Sequence, residues 1–141
     1  MTDIDPNLRT ISLTWHSGLR FDGGPPGLPP VAVDADVAAG PGPMHQLLMA
    51  AGACSGADVV SILKKMQVDL VRCDIEVSGR RAAEHPKRYL DLHMVFRVAG
   101  SGLDEAKARR AIDLSISKYC SVVHSLNPDI PVTYDLVLSQ S

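Results

Sequence analysis

Cysteine is scarce in this chain, with three in 141 residues at positions 54, 73 and 120. An odd number at wide spacing excludes a secreted disulfide framework, and it points to a cytoplasmic protein whose thiols stay reduced. Aromatic residues make up only 4% of the chain, too few for a platform on which nucleic-acid bases stack. Neither sign of charge prevails: 14 Lys and Arg stand against 16 Asp and Glu. Electrostatics therefore give no reason to expect a nucleic acid or an anionic membrane as partner. No apolar run in the sequence approaches the ~18–20 residues that span a bilayer. The opening MTDIDPNLRT has two acids and no apolar centre, so it does not read as a secretory signal. What is present, 45% apolar and 21% charged residues in 141, suits one globular domain.

Two textures divide that single domain, residues 1–43 and 44–141. In the first, short apolar snatches alternate with proline and glycine. Residues 9–15 and 31–33 read as strands, and 23–30 (GGPPGLPP) as a loop. From Met44 to Met66 no proline occurs, and Leu47, Leu48, Ala51, Cys54, Val59, Ile62, Leu63 and Met66 recur at helical spacing. This helix is apolar around much of its circumference and therefore belongs in a core, with Gly52 and Gly56 as points where it can bend.

Three runs then alternate with period two: Val71 to Val77, Leu90 to Val98 and Val132 to Leu138. Each predicts a half-buried strand of an antiparallel sheet. Between the last two, Ile112, Ile116, Tyr119, Val123 and Leu126 form the stripe of a second helix over 104–126, stopped by Asn127-Pro128. The fold class is α+β, a small N-terminal sheet plus an antiparallel sheet packed with two long helices. So apolar a helix in so short a chain predicts a homodimer that shares it.

Cys54 lies among the small residues of Ala51-Gly52-Ala53-Cys54-Ser55-Gly56, which leave room beside a sulfur. Free cysteine is also among the most buried residue types, so this position alone favours a packed thiol. Asp58, one turn on, would raise that thiol's pKa, so a reactive Cys54 needs a cation from elsewhere. Arg20 of the N-terminal sheet is one candidate and His45 another, although nine positions of unbroken helix put His45 about 13.5 Å from Cys54 along the axis. Cys120 borders the second helix's stripe with His124 four residues on, and Cys73 alternates with Val71 and Ile75 as a structural residue. A second thiol near a peroxidatic one condenses with its sulfenic acid and protects it. Cys54, Cys120, His45 and His124 are also zinc-ligand types, but their spacing makes a weak metal motif.

The stretches Gly42-Pro43-Met44, Leu47 to Cys54 and Asp58 to Met66 resemble the OsmC/Ohr family of osmotically inducible and organic-hydroperoxide-resistance proteins. Lys118-Tyr119-Cys120-Ser121-Val122 resembles its second cysteine motif, and Glu84 to Tyr89 and Trp15…Phe21-Asp22-Gly23 also match. The resemblance covers residues 8–138 and is nearest to the OsmC-like branch. It implies an intertwined homodimer with sites at the interface, Cys54 as peroxidatic thiol and Cys120 as the resolving one. The activity implied is reduction of organic hydroperoxides, and less well hydrogen peroxide, with no metal, haem or flavin cofactor. Dithiols, including protein-bound dihydrolipoamide, are the reductants it implies. The peroxidase branches pair an arginine with a glutamate just before the helix; here that neighbourhood reads Met44-His45-Gln46. The catalytic set expected is thus Cys54 and Cys120, with Arg20 or His45 lowering the Cys54 pKa. The alternatives are a non-catalytic module that binds an apolar or thiol-reactive small molecule, and a Cys/His metal-binding protein.

Overall fold

Proline and glycine confine the start of the chain to short strands. The structure, a computed structural model, describes residues 5–139. β1 (Ser12–Ser17), β2 (Arg20–Gly24) and β3 (Val31–Asp34) form an antiparallel sheet in that order. The first strand therefore begins later than the 9–15 expected, and β2 was hidden by its glycines. One of them is required: a Cβ on Gly23 would sit 2.0 Å from the Ser12 carbonyl oxygen, so only glycine lets β1 close on β2. Leu13, Trp15, Phe21 and Val31 line one face by their register, and all are exposed, Trp15 by 62%. Asp34 ends β3 buried, its carboxylate accepting from the backbone N–H groups of Asp36, Ala38 and Ala39.

α1 (Pro43–Lys65) starts with proline at its first position and ends on Lys64 and Lys65, both favourable placements. The chain forms two compact units that part between Leu47 and Leu48, inside α1 rather than at its start. The helix does not bend at its glycines. Instead Gly52 and Gly56 let it lie against β4 (Asp69–Arg81): a Cβ there would meet Val77 Cγ2 at 2.8 Å and Ile75 Cδ1 at 2.7 Å. With 23 residues and a mean hydropathy of 1.5 over an 18-residue window, α1 is long and apolar enough to cross a membrane, contrary to the sequence expectation. Packing on β4 covers one side of it: Ala51, Gly52, Ser55, Gly56, Val59 and Leu63 are buried, while Met49 and Val60 are exposed.

The second sheet runs β4, β5 (Tyr89–Ser101), β6 (Val132–Leu138). β4 and β5 are antiparallel, but β5 and β6 are parallel, so the sheet is mixed and not antiparallel as expected. The cause is the helical crossover between them, which returns the chain to the same end of the sheet. Leu92, Met94, Phe96 and Val98 of β5, Val59 and Leu63 of α1 and Ile112 are all fully buried and make up the core of this unit. Register shifts at both ends of the hairpin put Val71 and Leu90 out of the expected apolar face, and Tyr89 is buried where Leu90 was expected.

The second helix is not one helix. α2 (Glu105–Leu114) is capped by Asp104, which accepts from the Lys107 N–H at 2.8 Å. A π-helical turn follows over Ser115–Tyr119, the backbone is extended at Cys120, and α3 (Ser121–Ser125) is a single short turn. The class is α+β, two small sheets and helices, as the sequence indicated.

Candidate functional site

Residues spaced by three and four along α1 share a face, and Ala51, Cys54, Ser55 and Asp58 are so spaced. The π-helical turn lies against that face. Cys120, at its end, is fully buried, and its thiol points at the Ala51 carbonyl at 4.0 Å while its sulfur accepts from the Val123 N–H at 3.5 Å. Cys54 stands one turn after Ala51 on the same face of α1, close enough for its thiol to bear on that of Cys120. They differ in surroundings: Cys54 is half-buried and Cys120 is sealed. Burial first, and the neighbouring Cys54 with it, push the Cys120 thiol up to about 11, against a weaker opposing pull from the Val123 N–H.

Beside the thiols is a buried polar chain that the sequence reading missed. Ser115 donates to Asp58 Oδ2 at 2.8 Å, and Ser55 Oγ lies 2.9 Å from Ser115 Oγ. A hydroxyl has one proton, and that of Ser115 goes to the carboxylate, so Ser55 is the donor to Ser115. Both serines are fully buried. Asp58, weighed from the sequence as a neighbour of Cys54, is thus engaged by Ser115. The signal available was the run of serines at 115, 117 and 121, residues that favour turns over helix interiors.

Arg20 and His45 belong to the first unit, and each has a partner there. Arg20 grips Asp22 through Nε at 2.9 Å and Nη2 at 3.0 Å, a two-pronged pair that raises the arginine's pKa and lowers that of the aspartate. His45 is the third residue of α1, and its Nδ1 accepts from the Gly42 N–H at 3.2 Å, the reach-back that Glu or Gln makes in a capping box. That bond fixes the tautomer with the proton on Nε2. His124 is exposed and joins Cys120 through its backbone, donating to the Cys120 carbonyl at 3.0 Å.

Cys73 does face inward from β4, but it lines an apolar groove of about 380 Å³ with Leu48, Met49, Gly52, Ile75 and Val77. Burial pushes its thiol pKa up, with the Asp74 carboxylate adding to the rise. Among the described residues, no three of His, Cys, Asp and Glu come together as metal ligands, so the set Cys54, Cys120, His45 and His124 is not assembled.

Comparison with known proteins gives a consistent result. The sequence profile described as "OsmC-like protein" matches residues 34–135. The chain is 38% identical over 121 residues to Protein YhfA of Escherichia coli K12, covering 85% of this chain and 90% of that one. In structure it resembles an OsmC-like protein from Mycoplasma pneumoniae with a TM-score of 0.82 at 16% identity, covering 95% and 99% of the two chains. It also resembles the organic hydroperoxide resistance protein OhrB of Bacillus subtilis, TM-score 0.61 at 15% identity, covering 92% and 97%. At those identities the likeness is one of fold.

Proposed function

The chain belongs to the OsmC-like family, and from that premise we propose that it is a thiol-dependent peroxidase reducing organic hydroperoxides through a Cys54–Cys120 disulfide. One observation carries the reading: a fully buried Cys120 sits with its sulfur 4.0 Å from the Ala51 carbonyl, on the same face of α1 that presents a half-buried Cys54 one turn later. The two sulfurs thereby have different tasks. The Cys54 thiolate attacks the distal peroxide oxygen; an S–O bond forms, the O–O bond breaks, and the alkoxide leaves to be protonated as the alcohol. Cys120 then attacks the Cys54 sulfenic acid. The S–S bond forms, the S–O bond breaks, and the departing hydroxide takes the Cys120 proton as water. Two thiols have given two electrons. An external dithiol, such as protein-bound dihydrolipoamide, restores them by exchange through a mixed disulfide.

The supporting roles come from the resemblance. We assign stabilisation of the thiolate to Arg20, and to His45 the capping of α1. The exposed apolar face of Leu13, Trp15, Phe21 and Val31 supports a second copy of the chain as partner, giving the homodimer. Small and apolar neighbours of Cys54 favour organic over hydrogen peroxide.

Turnover of cumene hydroperoxide with excess dihydrolipoamide tests the proposal. Wild type should consume peroxide, Cys54→Ser should not, and Arg20→Ala should be slower than wild type. Peroxide consumption by Cys54→Ser equal to wild type would contradict it. No turnover by wild type would leave the fold as a binding module.

A further inference from the structure

A π-helical turn inserts one extra residue into a helical ladder, an unfavourable local arrangement that is commonly found where function requires it. Here it carries Cys120. Its first residue, Ser115, holds it from two directions. The Ser115 carbonyl accepts the Cys120 N–H at 2.7 Å, closing the turn on itself. The Ser115 hydroxyl donates to Asp58 Oδ2, tying the turn to α1 one helical turn beyond Cys54. Alanines would fill the space of Ser55 and Ser115 without burying two hydroxyls, so packing alone does not account for them. Cys120 itself is extended (φ −70°, ψ 102°) and caps the single short turn of α3, its sulfur accepting the Val123 N–H, so on that side it is held only to residues that follow it in the chain and not to α1. The Ser115 hydroxyl, bonded to both Asp58 and Ser55, makes the short polar restraints that set the turn's position on α1; the Cys120 thiol's own contact with the Ala51 carbonyl is long, at 4.0 Å.

We infer that Asp58 and Ser115 are positioning residues for disulfide closure: they tether the π-helical turn to α1 so that the Cys120 sulfur reaches the Cys54 sulfenic acid. The inference rests on the reading of Cys54 and Cys120 as a reacting pair. An S–S bond requires the sulfurs at ~2.05 Å with a narrow range of torsion, so loss of the tether acts on closure. Attack of Cys54 on peroxide needs nothing from the turn beyond its presence. Misplacement of a reacting group by about 1 Å slows a step by up to about a hundred-fold.

The test separates the two steps by rapid quench of the reduced full-length protein with cumene hydroperoxide, using dimedone capture for the sulfenic acid and intact mass for the disulfide. Ser115→Ala and Asp58→Ala should form sulfenic acid within about two-fold of the wild-type rate, yet close the disulfide at least about ten-fold more slowly. Sulfinic acid, a gain of two oxygens, should accumulate in both. Asp58→Asn retains an oxygen for Ser115 to donate to and should restore closure, and Ser117→Ala, whose hydroxyl bonds the Asp113 carbonyl in the same turn, should match wild type. Closure at the wild-type rate in both alanine variants would overturn the inference, as would equal slowing of both steps, the mark of general destabilisation. If one alanine variant does not fold, the other carries the comparison. If wild type forms no sulfenic acid, the peroxidase reading fails by itself, and disulfide formation with diamide, which oxidises a dithiol directly, decides the tether: about ten-fold slower closure in Ser115→Ala supports it and an unchanged rate overturns it.

Discussion

Replacing Gly52 or Gly56 by alanine puts the packing of α1 on β4 to a quantitative test, because the same chemical change has opposite surroundings at the two positions. Either substitution in an isolated helix gains about 1 kcal/mol of helix propensity. At position 52 the added methyl would lie 2.8 Å from Val77 Cγ2, where carbon atoms need about 3.5 Å or more. Val77 is β-branched and stiff at χ1, and it sits on β4 in register with Met94, so relief requires α1 or the strand to shift. Overpacking of that kind costs about 1–3 kcal/mol, leaving a net loss of about 0–2 kcal/mol, centred near 1. At position 56 the methyl meets Ile75 Cδ1 at 2.7 Å, the free end of a longer side chain that borders the open groove. That atom can rotate away for about 0.5–1.5 kcal/mol, so Gly56→Ala comes out near zero. Urea unfolding followed by far-ultraviolet circular dichroism, at one fixed protein concentration, reads both. The expected result is a lower midpoint for Gly52→Ala, with Tm down by about 3–5 °C, and little change for Gly56→Ala. A Gly52→Ala protein more stable than wild type would refute the close approach of α1 to β4.

Acid should find Asp34. The N–H groups of Ala39, Asp36 and Ala38 hold its carboxylate pKa below the ordinary 3.8, so its contribution is present above that pH and is lost as pH falls through the lower folded value. Asp34→Asn should therefore show a shallower loss of stability below pH 3.8 than wild type, and parallel acid-unfolding curves would contradict this. Cys120 has the opposite sign: its folded pKa of about 11 exceeds the ordinary 9.0, so its contribution is whole below pH 9.0 and lost toward 11. Native labelling with iodoacetamide at pH 8 should modify Cys54 well before Cys120, with Cys120 labelling rising as pH approaches 11; equal labelling of both at pH 8 would contradict the sealed thiol. At the helix start, His45→Glu keeps an acceptor for the Gly42 N–H and should preserve stability, whereas His45→Ala should lose about 0.5–1 kcal/mol in the same denaturation assay.

The strands of the second sheet and α1 were legible because one period runs through most of each, as in Leu92, Met94, Phe96 and Val98. What periodicity could not show were interruptions that leave the residue types apolar. Leu90 and Tyr89 are both large and apolar, so a bulge that buries one instead of the other has no signature in the alternation. The spacing of Ile112, Ile116, Tyr119 and Val123 fits one helix, yet the π-helical turn shifts the phase by a residue, burying Cys120 and leaving Tyr119 exposed. The parallel pairing of β5 and β6 was open to inference, since two strands joined by a long helical connection commonly run parallel. Arg20 and Asp22, two apart on one strand, were similarly open to pairing. In the site, Cys54 and Cys120 were each identifiable by residue type and motif, but their approach depends on how α1 and the turn pack. Asp58 and Ser115 are 57 positions apart, and no local pattern connects them.

The central claim is that Cys54 and Cys120 act as one redox pair, and the intact mass of the reduced protein after a modest excess of cumene hydroperoxide tests it most directly. The account predicts a loss of about two mass units within the mixing time of a manual assay, with peptide mapping placing the bond between Cys54 and Cys120. In Cys120→Ser the product should instead be a Cys54 sulfenic acid, one oxygen heavier. A Cys54 that stays reduced, or a bond that forms through Cys73, would contradict the account.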